Sequence, residues 1–151
     1  MTVFLIRHAH AGDRSEWNGD DRGRPLSAKG NRTAEGLARA LGDRPVMRVM
    51  SSPAVRCIET VEPLADKVGM PVETSDLLAE GSDPVEVIRL IRAHKGGDLA
   101  ICSHGDVIPE VIEILAAEGM DIDGEVGNRK GSFWALELNG ASSSARYHDR
   151  T

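Results

Sequence analysis

The sequence predicts an α/β fold, a three-layer sandwich with a mainly parallel central sheet and helices on both faces. Three observations predict it. Strand-like and helix-like segments alternate in the order β-α-β-α-(β)-α-β-α-β, the pattern that builds parallel sheets covered on two sides. The strand candidates are short aliphatic runs, as buried parallel strands are. Aromatic residues are only 3% of the chain, so the core must be mainly Val, Ile, Leu, Ala and Met. At 151 residues the chain is a normal size for one domain, and it can bury a core without disulfides or metals. Residues 1–151 are read as a single domain, with no repeat and no linker.

The elements follow in order. Residues 2–6 (TVFLI) form a first strand ending in Arg7-His8. Residues 10–24 are polar and glycine-containing, a long exposed loop. Ser27 caps a helix in which Ala34, Leu37, Ala38 and Leu41 recur with helical spacing, and Gly42 ends it. Residues 46–50 (VMRVM) are a second strand. Ser52 then caps a helix with Pro53 at its first position, and Pro63 predicts a kink or early break. Residues 71–73 suggest a short third strand. Asp83-Pro84 starts another helix through Val87, Ile88 and Ile91. Residues 99–102 (LAIC) are a fourth strand, followed by a helix with Val107, Val111, Ile112 and Leu115. Residues 132–138 (SFWALEL) alternate and read as a final edge strand. The Ser-rich tail from Gly140 is expected to fray.

The formal net charge of −6 disfavours nucleic acid as a partner, because like charges repel. It leaves room for small anions, since clustered arginines override the global field locally. Cys57 and Cys102 form no CxxC pair and read as free thiols in a reducing compartment. Cys57 is expected to pack against the sheet and Cys102 to fill the core of the fourth strand. There is no signal-peptide pattern, and no run approaches the roughly 20 apolar residues of a membrane span. No membrane partner is expected, and the expected compartment is the cytoplasm.

The chemistry sits where strands end. The first strand ends in Arg7-His8, the second leads to Arg56, and the fourth ends in His104. In a parallel sheet these ends converge on one crevice. Guanidinium forks match phosphate oxygens and stay charged at any working pH. A neutral imidazole nitrogen can attack phosphorus and hold the phosphoryl group. The spacing His8-x-His10 hints at a metal, but no third ligand stands at a telling distance, so neither metal nor cofactor is expected.

LIRHAHAG, SSPAVRCIET and the late SHG together resemble the histidine phosphatase superfamily, whose fold is phosphoglycerate-mutase-like. The compact length and the RPLSAKG stretch look like its short SixA-type branch, which includes phosphohistidine phosphatases. NGDDRGRPLSAKG, VRCIETVEPLA, DVIPEVI and NRKGSFWALEL are similar to the histidine phosphatase domain that some bacteria fuse behind a MutT-type Nudix hydrolase, a family acting on nucleotide polyphosphates. The resemblance implies His8 as nucleophile, with Arg7, Arg56 and His104 as the phosphate pocket. It points to Glu80 as the acid that protonates the leaving group, with a carboxyl pKa raised beside a bound dianion. Asp13, Asp20 and Asp21 remain alternatives. Arg24, Ser103, Arg129 and Lys130 are candidates to hold the rest of the substrate.

The resulting expectation is a metal-independent phosphatase acting on small phosphate monoesters or anhydrides, nucleotides included. The alternatives are a phosphatase for phosphohistidine on a partner protein, a mutase, and a non-catalytic phospho-ligand binding module. A mutase needs inserted segments that keep water out, for which this chain has little length. A binding module should have lost part of the constellation, and Arg7, His8, Arg56 and His104 are all present.

Overall fold

A computed structural model describes residues 1–139 and 142–149. The chain forms β1 (Thr2–Arg7), α1 (Ala28–Leu41), β2 (Val46–Ser51), α2 (Val55–Val68), β3 (Val72–Thr74), α3 (Pro84–Ala93), β4 (Asp98–Ser103), α4 (Ile108–Ala117), β5 (Asp121–Asp123), β6 (Phe133–Asn139) and β7 (Ser142–His148). One seven-stranded sheet runs in the order β3-β2-β4-β1-β6-β7-β5. β3, β2, β4 and β1 are mutually parallel, whereas β6 is antiparallel to both β1 and β7. β5 pairs parallel to β7 at the far edge.

The period of two along each central strand divides its side chains between two cores. Val3 and Leu5 of β1, with Leu99 and Ile101 of β4, pack under α3 and α4 against Val87, Ile91, Val111 and Ile112. Phe4 and Ile6, with Ala100 and Cys102, face the opposite way and meet Leu37, Leu41, Val61 and Leu64 of α1 and α2. These are the three layers expected. Cys57 and Cys102 are both buried as free thiols in this second core.

Local chemistry sets the helix starts. The Ser27 hydroxyl accepts from the Gly30 amide at 3.1 Å, and the Asp83 carboxylate accepts from the Val85 amide at 2.9 Å ahead of Pro84. Gly30 has a second role. A Cβ there would collide with the His10 carbonyl, so only glycine lets α1 approach the loop this closely.

Four expectations are corrected. α2 runs without a break through Pro63 to Val68. Burial of Val61, Leu64 and Ala65 against α1 and the sheet outweighs the missing amide and the ring clash, a cost of about 3 kcal/mol. Ser52 does not cap α2: the N-cap is Ala54 and the helix begins at Val55. The Ser52 hydroxyl does accept from the Ala54 amide at 3.2 Å, but it is also held by His104. β6 is not an edge strand, because β7 covers its outer side. The tail does not fray over Ser142–His148, which pairs with β6 from Asn139↔Ser142 to Phe133↔His148. Residues 140, 141, 150 and 151 of that tail lie outside the described residues. The short edge strand β5 carries no sequence pattern strong enough to announce it.

Candidate active site

The parallel register puts the reactive residues side by side. Arg7 pairs with Ser103 across β1 and β4, so the residues that follow them, His8 and His104, leave the sheet as neighbours. The His8 amide donates to the Ser103 carbonyl at 3.1 Å, and the Ser52 amide donates to the Cys102 carbonyl at 3.0 Å. The two imidazole centroids lie 5.5 Å apart, edge to face. The antiparallel β6 brings the turn at residues 128–131 to the same end of the sheet. There the Gly131 amide donates to the carbonyls of Arg7 and His8, both at 3.1 Å.

His8 is 6% exposed. Its Nδ1 is 2.8 Å from the Ala9 carbonyl oxygen, which can only accept, so Nδ1 carries the hydrogen and Nε2 keeps its lone pair. Burial is the first cause that lowers its pKa, to about 3. The positive fields of Arg56, His104 and Arg7 push the same way, against the bond to Ala9. The imidazole is therefore neutral at physiological pH.

Arg56 and Thr60 lie one turn apart on one face of α2, and Ser52 stands just ahead of the helix on the same side of the site. Ser52 Oγ lies 2.8 Å from His104 Nε2. If the hydroxyl donates, the His104 proton sits on Nδ1, a buried atom with no partner among the described residues. Thr60 Oγ1 accepts from the Ala9 amide at 3.0 Å while its own hydrogen goes to the Arg56 carbonyl at 2.6 Å. Cys57 Sγ is 3.5 Å from His104 Nε2 on the same side. Arg56 itself is 2% exposed.

The loop at residues 10–24 folds over this centre through ion pairs. Asp21 reaches Arg56 Nη2 at 3.1 Å, Arg24 Nε at 3.1 Å and Arg14 Nε at 3.3 Å. Desolvation works against the Asp21 carboxylate. The Arg24 hydrogen bond and the charges of Arg56, Arg14 and Arg24 win, holding its pKa below the usual range. Glu80 pairs with Arg14 at 2.9 Å and stands 3.8 Å from Arg56.

The resulting cleft has a volume of about 710 Å³ and includes Arg7, His8, Arg24, Glu80, His104 and Lys130 in its lining. These six sequence candidates are brought together, and Arg56 sits behind them with Nη1 on the Asp21 carbonyl. Arg24 is buried, and its Nη1 donates to the Ala11 carbonyl at 2.7 Å, so it also anchors the loop. Two candidates lie elsewhere. Ser103 is fully buried and its hydroxyl donates to the Leu78 carbonyl at 2.8 Å, which ties β4 to the segment before α3 and takes it out of the cleft. Arg129 lines an adjoining groove and pairs with Asp149 at 3.3 Å. Of the loop acids, Asp13 lines the cleft, Asp20 caps a turn on the Arg22 amide, and Asp21 is the arginine-held carboxylate.

Sequence reading missed Asp106, which lines the cleft and accepts from the Gly81 amide at 2.8 Å. Its place two residues after His104 was the available signal. Gly105 was also undervalued: a Cβ there would lie 2.5 Å from Arg7 Cζ, so glycine makes room for that guanidinium. His10 bonds Ser27 through Nδ1 at 2.7 Å. Among the described residues no group of three or more His, Cys, Asp and Glu side chains is placed to hold a metal ion.

Two imidazoles and buried guanidiniums at the C-terminal ends of parallel strands define a site built for a phosphoryl group. Residues 3–82 match the histidine phosphatase superfamily (branch 1), and the chain belongs to that family. It is 36% identical over 143 residues to an 8-oxo-(d)GTP phosphatase from Mycolicibacterium smegmatis, a match covering 91% of this chain and 44% of that protein. The chain therefore spans less than half the length of this curated relative. Its fold is that of the protein histidine phosphatase SixA solved with tungstate (TM-score 0.74, 21% identity, 98% of this chain and 94% of that one). Bacillus stearothermophilus YhfR shares it equally (TM-score 0.74, 16% identity, 99% and 97%). Among the described residues no helix is long and apolar enough to cross a membrane.

Proposed function

We propose that the chain is a phosphatase that releases orthophosphate from small phosphate esters or anhydrides through a phosphohistidine on His8. The observation that carries this is the His8 imidazole, kept neutral by burial and by the charges of Arg56 and Arg7, with its tautomer fixed by the Ala9 carbonyl so that Nε2 keeps its lone pair. Family membership supports the reaction class. The name of the mycobacterial relative supports a nucleotide among the substrates.

Two displacements complete the reaction. Nε2 attacks phosphorus, the N–P bond forms, and the P–O bond to the leaving group breaks. Arg7, Arg56 and His104 Nδ1–H balance the charge on the equatorial oxygens. The leaving oxygen takes a proton from a cleft carboxyl, for which Glu80 is the candidate beside Asp106 and Asp13. Water then attacks phosphorus, the same carboxylate takes its proton, the N–P bond breaks, and orthophosphate departs with Nε2 restored. The whole sheet serves this one centre, so we assign the chain a single catalytic domain. The buried free thiols of Cys57 and Cys102 fit a reducing cytoplasm.

The test is phosphate release from p-nitrophenyl phosphate and a nucleotide panel, wild type beside His8→Ala, with EDTA present. EDTA-resistant release that disappears in the variant is expected. Release that persists in His8→Ala would remove the phosphohistidine mechanism.

A further inference from the structure

A second depression opens at the rim of the His8 cleft. It has a volume of about 700 Å³ and lies between α1 and the turn at residues 128–131. Lys29, Arg32 and Arg39 line it from α1, and Arg129 and Lys130 face them from the turn, with Thr33 and Gly36 between; Asp149 also lines it and pairs with Arg129 at 3.3 Å. On α1 the positions 29, 32, 36 and 39 share one face, and they extend over about 15 Å at the helical rise. Lys29, Arg32 and Arg39 are exposed and make no ion pair among the described residues. In a chain of net charge −6 this is a local reversal of sign.

Two features say what would lie there. Among the described residues no aliphatic or aromatic side chain lines the groove, which removes the apolar anchors that a protein partner would need. A phosphate chain needs none, because guanidinium and ammonium groups bind its oxygens directly. Direction comes from the cleft itself. Arg7, His10 and Lys130 line both cavities, whereas the rest of the cleft lining carries four carboxylates, Asp13, Glu16, Glu80 and Asp106, against the two guanidiniums of Arg14 and Arg24. Carboxylates outnumber guanidiniums in that part of the cleft and cations outnumber the single carboxylate in the groove, so a polyanionic leaving group is favoured in the groove. Lys130, at the junction, has its pKa lowered first by burial and then by the charges of Arg7, Arg24, Arg56 and Arg14. An anion bound beside it would relieve that crowding.

We propose that this groove is a subsite for a linear oligophosphate chain carried by the leaving group, so that the terminal phosphate of such a chain is presented to His8. The choice of substrate rests on the phosphatase reading of the cleft, whereas binding of the chain to the groove does not.

The experiment compares kcat/KM for inorganic tripolyphosphate, a nucleoside triphosphate and p-nitrophenyl phosphate in wild type, in Arg32→Ala/Arg39→Ala, and in Arg89→Ala as a control on the exposed face of α3. The double variant should lower the ratio of either oligophosphate to p-nitrophenyl phosphate about tenfold, as two charge contacts of about 0.7 kcal/mol each would. The control should leave the ratio unchanged. A fall for both oligophosphates assigns recognition to the chain alone, and a fall for the nucleotide only assigns it to the nucleotide-borne chain. An unchanged ratio for both overturns the proposal. If wild type releases phosphate from nothing, the phosphatase reading has failed, and calorimetric titration of tripolyphosphate into wild type and the double variant decides the groove by itself. Weaker binding by the double variant upholds the subsite, and equal or absent binding rejects it.

Discussion

Thr60 acts on the site through a single backbone bond. Its hydroxyl holds the Ala9 amide, and Ala9 in turn supplies the carbonyl that fixes the His8 tautomer. Thr60→Val keeps the shape and removes the acceptor, leaving a buried amide unsatisfied at a cost of about 1–3 kcal/mol. Urea unfolding should read that loss, and kcat should fall more than KM rises, because His8 is misaimed rather than removed. His8 makes a second statement. Its pKa of about 3 in the fold, against 6.5 for the free side chain, means the unfolded chain binds the extra proton between those values. The contribution of His8 to stability is therefore full above pH 6.5 and is lost as pH falls toward 3. The sign in catalysis is the same, since only neutral Nε2 attacks. NMR titration should find the His8 imidazole neutral at pH 5, and a midpoint near 6.5 would contradict the geometry described.

At the scale of elements, α2 braces the site from behind. Its first two turns place Arg56 and Thr60, and its buried face holds the helix on the sheet through Cys57, Val61 and Leu64. Leu64 is fully buried, so Leu64→Ala should cost about 2–5 kcal/mol by thermal or urea unfolding. Pro63, half-buried in the same helix, predicts the reverse. Pro63→Ala restores an amide donor and helix propensity, and it should raise stability by about 1–3 kcal/mol without altering kcat. A destabilised variant would show that the ring packs better than its backbone penalty suggests. Helix periodicity made α1 to α4 readable from the sequence, with the caps Ser27 and Asp83 marking the starts of α1 and α3. β7 was not readable, because three serines open it and its stability comes from pairing with β6.

For the whole molecule, Gly105 couples two elements that never touch in sequence. The backbone after β4 passes against the guanidinium at the end of β1. Gly105→Ala must displace Arg7 from the cleft. Turnover of p-nitrophenyl phosphate should fall about 100-fold, the scale of losing one donor to a developing oxyanion. The melting temperature should move little. The convergence of Arg7, His8, Arg56 and His104 was legible because each sits at or just past a strand or helix boundary that the sequence marks. Ser103 was misplaced because its neighbour His104 faces the cleft while Ser103 still belongs to the strand and turns toward Leu78. The cations of α1 escaped notice because Lys29, Arg32 and Arg39 read along the chain as an ordinary solvated helix face. Only the approach of the turn at residues 128–131 converts that face into a groove.

The sequence by itself determined the layered α/β architecture, the order of its first four strands and the identity of the central histidines and arginines. Those properties rest on local periodicity, capping and motif spacing, which act over a few residues. The tertiary structure decided the tautomer of His8, the partners of Ser52 and Asp21, the interior place of β6 and the charge balance of the cleft and its adjoining groove. Each of these depends on which distant backbone group or charge arrives within a few ångströms, and that is set by sheet order and packing.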